Sequence, residues 1–246
     1  MAQVKRYCTN TELYQDPTLA EGVDYGRRHR RHELFDDSLD QRGALARTAI
    51  IAPHGGGSET GTSELCLAVA GYHPATLEVT PPGGPTYDYW MFEGLRPADN
   101  DELHVTSTRC DDGTAVSFCA GSLNALALHG CRPETAGLPP GSKTVLVGGR
   151  NFTFKRYLLE AFADHQLDAR DAGGVKAIDG DDPANIVNRT LLGMGGHLEL
   201  TSPLRSAMFE VDTRADRKNT TTEVFRTFTE ACRAAIARLE AEQVIL

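Results

Sequence analysis

The sequence predicts a single-domain α/β protein: an open β-sheet with helices on both of its faces. Three observations carry that expectation. Short apolar stretches of strand character alternate with stretches of helical period along the chain, the pattern of a sheet covered by helices on two sides. The 246 residues suit one α/β domain, read as 1–246, and a chain of that size buries enough surface to need no staple. Composition is that of an ordinary globular fold, 40% hydrophobic and 24% charged, and the proline- and glycine-rich pieces at 81–85 and 137–141 read as loops within it.

The elements follow in order. Residues 23–32 and 46–52 read as strands, the second being the buried run Arg47-Thr48-Ala49-Ile50-Ile51-Ala52. Thr62 or Ser63 can cap a helix running from Glu64 to Ala70 and closed by Gly71. Short strands are expected near 87–92 and 103–106, and a helix near 113–121. Leu123 to Leu128 forms a strand that ends at His129-Gly130, and Thr144 to Val147 another, stopped by Gly148-Gly149. Phe154, Tyr157, Leu158, Ala161 and Phe162 recur at helical spacing, giving an amphipathic helix. Residues 196–201 read as a strand, and Phe225, Phe228, Cys232, Ile236 and Leu239 make the stripe of a C-terminal helix with threonines 220–222 before it.

Charge and cysteine usage remove several function classes. A net charge of −9 argues against a general nucleic-acid binder, although a locally positive pocket can still hold an anion. The basic cluster Arg27-Arg28-His29-Arg30-Arg31-His32 reads as a solvated strand or loop. No apolar run is long enough to span a bilayer. The N-terminus has no apolar core of signal-peptide type, so the chain is expected to be made in the cytoplasm, with release by lysis as a route outward. Six cysteines are scattered without a CxxC pair and read as reduced, structural thiols.

Open α/β sheets build their sites beyond the carboxyl ends of strands. His54 directly follows one apolar strand and His129 ends another, while Glu199 lies in a third, His197-Leu198-Glu199-Leu200-Thr201, facing away from Leu198 and Leu200. Imidazole and carboxylate are the ligands of a catalytic zinc, which keeps three protein ligands and an open position. A separate carboxylate can then carry a proton from water to a leaving amine. The glycines at 55–57 allow the backbone to bring Glu59 round beside His54, whereas Glu64 reads as a first-turn helix carboxylate. His29, His32, His73 and His165 read as structural.

The block Ala52-Pro53-His54-Gly55-Gly56-Gly57-Ser58-Glu59-Thr60-Gly61-Thr62-Ser63-Glu64 resembles the signature of the poly-γ-glutamate hydrolase family, known from phages that infect capsulated bacteria. The resemblance continues loosely upstream at Glu21-Gly22-Val23-Asp24-Tyr25. It is firmer at Phe92-Glu93-Gly94, Leu103-His104-Val105-Thr106-Ser107-Thr108, Leu128-His129-Gly130 and Val147-Gly148-Gly149, then at Asn185-Ile186-Val187-Asn188-Arg189 and Leu198-Glu199-Leu200-Thr201. It implies a zinc carboxypeptidase-like fold, with a mixed sheet between helices. It also implies zinc held by His54, Glu59 and His129, Glu199 as the catalytic carboxylate, and cleavage of γ-glutamyl amide bonds in a capsule polymer. Two departures stand out: Glu59 follows His54 by five positions, a longer spacing than in zinc carboxypeptidases, and His197 stands where glutamine is expected. Substrate carboxylates need cationic partners, for which Arg189 and Arg205 are the candidates. His104 is given no ligand role, because His129 better terminates a strand. A zinc carboxypeptidase or deacylase acting on another amide is the near alternative, and a non-catalytic metal-containing binder of polyanions the distant one.

Overall fold

Apolar side chains alternate along the central strands, and both sets are used. The computed structural model describes residues 6–32 and 48–243, so residues 46 and 47 of the strand expected at 46–52 lie outside the described residues. The elements in chain order are α1 (Asn10–Tyr14), β1 (Tyr25–Arg30), β2 (Thr48–Gly56), α2 (Thr62–Val69), β3 (Asp88–Gly94), α3 (Gly113–Ala120), β4 (Asn124–Cys131), β5 (Val145–Gly148), α4 (Phe152–Asp164), β6 (Ala169–Asp171), β7 (Gly196–Thr201), α5 (Ser202–Ala207) and α6 (Glu223–Glu242). One seven-stranded sheet runs in the order β1-β3-β2-β4-β7-β5-β6. The sheet is mixed: β3, β2, β4 and β7 are mutually parallel, β1 runs against β3, and β5 runs against β7 with β6 parallel beside it.

One face takes Ile50, Ala52, Leu126, Leu128, Leu198 and Leu200 under α2, α4 and α6, with Phe154, Phe162 and Phe228 filling the layer. The other takes Ala49, Ile51, Ala125 and Ala127 under Leu13 of α1 and Ala115, Phe118 and Cys119 of α3. The strand period of two thus assigns each residue its layer. A third cluster of Cys131, Leu138, Leu146, Ala172 and Ile178 ties the segment after β6 down onto the sheet.

The expected strand at 103–106 is absent. Asn100–Leu103 forms a short 3₁₀ turn, and Val105 follows in irregular backbone, because no neighbouring strand pairs with it. The capping expectation for α2 also changes. Its N-cap is Gly61 at φ +93°, a left-handed conformation that glycine adopts readily, and the side chains of Thr62 and Ser63 are used elsewhere. The short elements α1, β6 and α5 were not anticipated, each having too few residues to show a period.

The basic cluster is the edge strand β1, and most of its charges are paired or stacked. Arg27 meets Glu21 and Asp112, Arg28 meets Glu93, and Arg31 lies over the Phe118 ring. His32 bonds Asp88 and Tyr72, His165 bonds the Ala161 carbonyl, His73 accepts from Ala75 N–H, and His29 stands edge-on to Phe118. All six cysteines are free, five of them buried and Cys8 exposed. Among the described residues no helix is long and apolar enough to cross a membrane.

Candidate active site

β2, β4 and β7 lie side by side and point the same way, so their carboxyl ends open onto one cleft of about 640 Å³. His54, Glu59, His129, His197 and Glu199 all line it. His129 and Glu199 are register partners on β4 and β7, and Ala127 pairs with His197. The two apolar neighbours of Glu199 go into the layer under α4 and α6, which sends its carboxylate into the cleft.

Glu59 arrives by the glycine-rich loop. Gly56 takes φ +68°, and a Cβ at Gly55 would collide with Ser63 Oγ. That hydroxyl instead accepts a hydrogen bond from Gly56 N–H at 2.9 Å, while Thr62 Oγ1 donates to the Glu59 carbonyl at 2.8 Å. Glu59 N–H closes the turn on the His54 carbonyl at 2.8 Å. The two side chains expected as helix caps thus fasten the loop that carries Glu59.

Three side chains converge here, with both oxygens of Glu59 turned to the histidines. His54 Nδ1 lies 2.9 Å from Glu59 Oε1 and 3.1 Å from His129 Nδ1, and His129 Nδ1 lies 3.3 Å from Glu59 Oε2. Tetrahedral ligands at about 2.0–2.1 Å from a zinc are roughly 3.3 Å apart, so the set matches one small cation. Further contacts hold these side chains: His54 Nε2 bonds the Val105 carbonyl at 2.7 Å, Glu59 Oε2 also accepts from Gly130 N–H at 2.9 Å, and His129 Nε2 lies 3.4 Å from Ser107 Oγ. A proton on His54 Nε2 leaves Nδ1 with a lone pair facing its partners, the arrangement of a ligand oriented from behind.

The electrostatics follow from burial and proximity. Burial penalises the His54 cation, yet the neighbouring Glu59 carboxylate holds its pKa above the usual imidazole value. Burial alone would raise Glu59, but the two imidazoles pull it well below the usual carboxylate range. His129 is lowered, by burial first and by His197 beside it. Burial pushes His197 down to about 4 and Glu199 up to about 8.

His104, given no ligand role from the sequence, lies against the same residues. Its ring stacks on His54 with centroids 3.7 Å apart, and its Nε2 is 3.7 Å from Glu59 Oε1. His54, Glu59 and His104 could also hold an ion, all three offering atoms within 4.8 Å of one another. His129 lies nearer to Glu59, at 3.3 Å against 3.7 Å, and is 3% exposed at the side chain against 27% for His104, so it is the better enclosed of the two.

The two arginines singled out for substrate carboxylates do not line the cleft. Arg189 donates to the carbonyls of Thr108, Cys110 and Ala184, bracing two of the cleft's supporting segments against each other. Arg205 lies behind Gly130, bonded to the Leu200 and Thr60 carbonyls. The cleft's lysine and arginine are Arg150 and Lys176. Arg150 has no carboxylate partner among the described residues, and its guanidinium makes one long bond, 3.4 Å, to the Asp181 carbonyl. It follows Gly148-Gly149 at the end of β5. Because β5 runs against β7, that end lies level with His197, a position the carboxyl-end rule does not cover.

The profile of the family described as poly-γ-glutamate hydrolase matches residues 29–231. The chain belongs to the poly-γ-glutamate hydrolase family. The SPbeta prophage-derived UPF0714 protein YoqZ of Bacillus subtilis (strain 168) is 31% identical over 73% of this chain, which spans 58% of that relative's length. The UPF0714 protein YmaC of the same organism is 26% identical over 83% of this chain and 77% of its own. Among solved structures, a bacteriophage poly-γ-glutamate hydrolase superposes with a TM-score of 0.78 at 27% identity, covering 98% of this chain and all of that one. The zinc-free apo form of YndL superposes with a TM-score of 0.73 at 25% identity, covering 98% of this chain and 100% of that one. The mixed sheet between helices is thus the fold of this family.

Proposed function

We propose that this chain is a zinc-dependent hydrolase that cuts the γ-glutamyl amide bonds of poly-γ-glutamate. The observation that carries the reading is the trio of side chains His54, Glu59 and His129, their donor atoms spaced for one small cation, with the buried Glu199 beside His129 on the neighbouring strand. A zinc ion held by those three residues supplies a fixed positive charge that makes an amide carbonyl susceptible to water at neutral pH. Two imidazoles and a carboxylate suit zinc, and related divalent metals bind the same donor set, so metal analysis of the purified protein decides between them.

The chain's own residues supply the rest. Glu199 takes a proton from the attacking water and delivers it to the leaving amine, so the amide C–N bond breaks and a carboxylate and an amine result. A carboxyl whose pKa is lifted by burial is a strong enough base for the first transfer and a strong enough acid for the second. Each γ-glutamyl unit leaves one α-carboxylate free, and Arg150 and Lys176 are the cations on the cleft wall that can meet it. His104, partly exposed above His54, stands on the solvent side of the donor trio, where the substrate enters.

The test is metal analysis joined to an assay. The purified chain should carry one zinc, release shorter chains from poly-γ-glutamate, stop with chelator and restart with added zinc. Glu199→Gln should keep its zinc and lose turnover. Full activity without metal, or in the Glu199→Gln variant, would sink the proposal. Cleavage of α-linked peptides in preference to the γ-linked polymer would turn it toward a carboxypeptidase.

A further inference from the structure

We infer that His197 is a positioning residue, whose Nε2–H holds the Glu199 carboxylate in its working orientation. The inference rests on the reading of Glu199 as the group that carries the proton. Among the described residues the hydrogen bond to the Glu199 carboxylate comes from His197 alone, Nε2 to Oε1 at 3.2 Å. A carboxylate end turns freely about its last side-chain bond unless something fixes it. One partner on a buried acid therefore decides where its second oxygen points.

The His197 ring is itself clamped. It stacks on His129 with centroids 4.5 Å apart and planes 26° from parallel, and it is 4% exposed. The ring also meets the backbone of Gly180, where a Cβ would collide with its Cγ and Nδ1. Gly180 is held in turn: its carbonyl and that of Asp182 both accept from Asn188 Nδ2 at 2.8 Å. The His129 ring and the Gly180 backbone together leave it one seat.

The seat also selects the tautomer. His197 Nδ1 is buried with no hydrogen-bond partner among the described residues, while Nε2 faces an acceptor. An N–H left without an acceptor costs more than a bare lone pair facing apolar atoms, so the proton goes on Nε2. Glutamine places an amide N–H the same number of bonds from the backbone and can make the same contact. Methionine fills similar volume and donates nothing.

Three measurements decide the matter. Nitrogen NMR of the wild type, metal-free and zinc-loaded, should show His197 protonated on Nε2. His197→Met should bind zinc as the wild type does and keep KM, with kcat lowered between about 10-fold and 100-fold. His197→Gln should recover most of that kcat. A proton on Nδ1, unchanged kcat in His197→Met, loss of zinc from that variant, or failure of glutamine to restore turnover would each overturn the inference. If His197→Met does not fold, the tautomer and the glutamine variant carry the decision. A wild type that cleaves no amide would overturn the proposed function while an Nε2 proton would still support the His197–Glu199 bond. An active wild type with the wrong tautomer would do the reverse.

Discussion

At the scale of single residues, two histidines compete for the third place in the donor trio, and exposure separates them. His129→Ala removes an enclosed donor 3.1 Å from His54 Nδ1 and should empty the site of zinc. His104→Ala removes a partly exposed ring and should leave zinc stoichiometry near one, as read by elemental analysis of the purified variants. The reverse result would hand the ligand role to His104. Two arginines part in the same way. Arg150→Ala should raise KM for poly-γ-glutamate by roughly 10- to 100-fold, the worth of one charge-assisted hydrogen bond of about 1.5–3 kcal/mol. Arg189→Ala loses three carbonyl contacts and should appear as a lower melting temperature. An Arg150→Ala enzyme with unchanged KM would remove that residue from substrate binding.

At the scale of elements, the loop from His54 to Thr62 is fastened at several points, and Arg217 is its outer bolt. This buried guanidinium reaches Glu64 at 3.3 Å, Asp212 at 3.2 Å and the Gly56 carbonyl at 3.2 Å. Burial raises the Glu64 pKa, and Arg217 is the charge that works against that rise. Arg217→Ala leaves that carboxylate buried without its cation and should cost about 3–5 kcal/mol of folding stability in a denaturant titration. A loss below about 1 kcal/mol would mean the pair contributes little. The long elements were legible because burial writes a period into them: Leu198 and Leu200 against Glu199, or Phe225, Phe228 and Cys232 along α6. Strand ends and the glycine loop drew attention to His54, Glu59, His129 and Glu199, the family resemblance chose Glu59 over Glu64, and the structure brings all four to one cleft. The roles of Thr62 and Ser63 could not, since a hydroxyl before a helix looks the same whether it caps or ties a loop. Arg189 and Arg205 were misassigned as substrate contacts because sequence shows a charge but not the carbonyls that will use it. Arg150 was passed over because the reversed direction of β5 is a property of the sheet, invisible in a four-residue strand.

At the scale of the whole molecule, the site and the fold share one pH dependence. Burial holds the Glu199 carboxyl at about 8 in the metal-free fold, against an ordinary 4.5. The folded state therefore binds this proton more tightly than the unfolded chain does. The stability it contributes is fully present below about pH 4.5 and is lost as pH rises through about 8. In chelator-treated protein the wild type should lose melting temperature relative to Glu199→Gln across that window, and the two should converge near about pH 5. Zinc should raise both by mass action and flatten the difference, since a dication beside Glu199 favours its ionised form. Parallel curves for the two metal-free proteins would show that Glu199 is not held protonated by the fold.

The thiols make the molecule its own reporter of opening. Burial pushes Cys110, Cys119 and Cys131 up to about 12 and raises Cys66 and Cys232 well above the usual thiol range, so none of these five offers a thiolate near neutral pH. Cys8 alone is exposed. A maleimide dye should mark the native enzyme once, rapidly, giving a handle for tethering it to a surface or a fluorophore. Each further dye then counts an excursion from the native state, so the slow labelling rate, followed with and without zinc, times how often the sheet lets go.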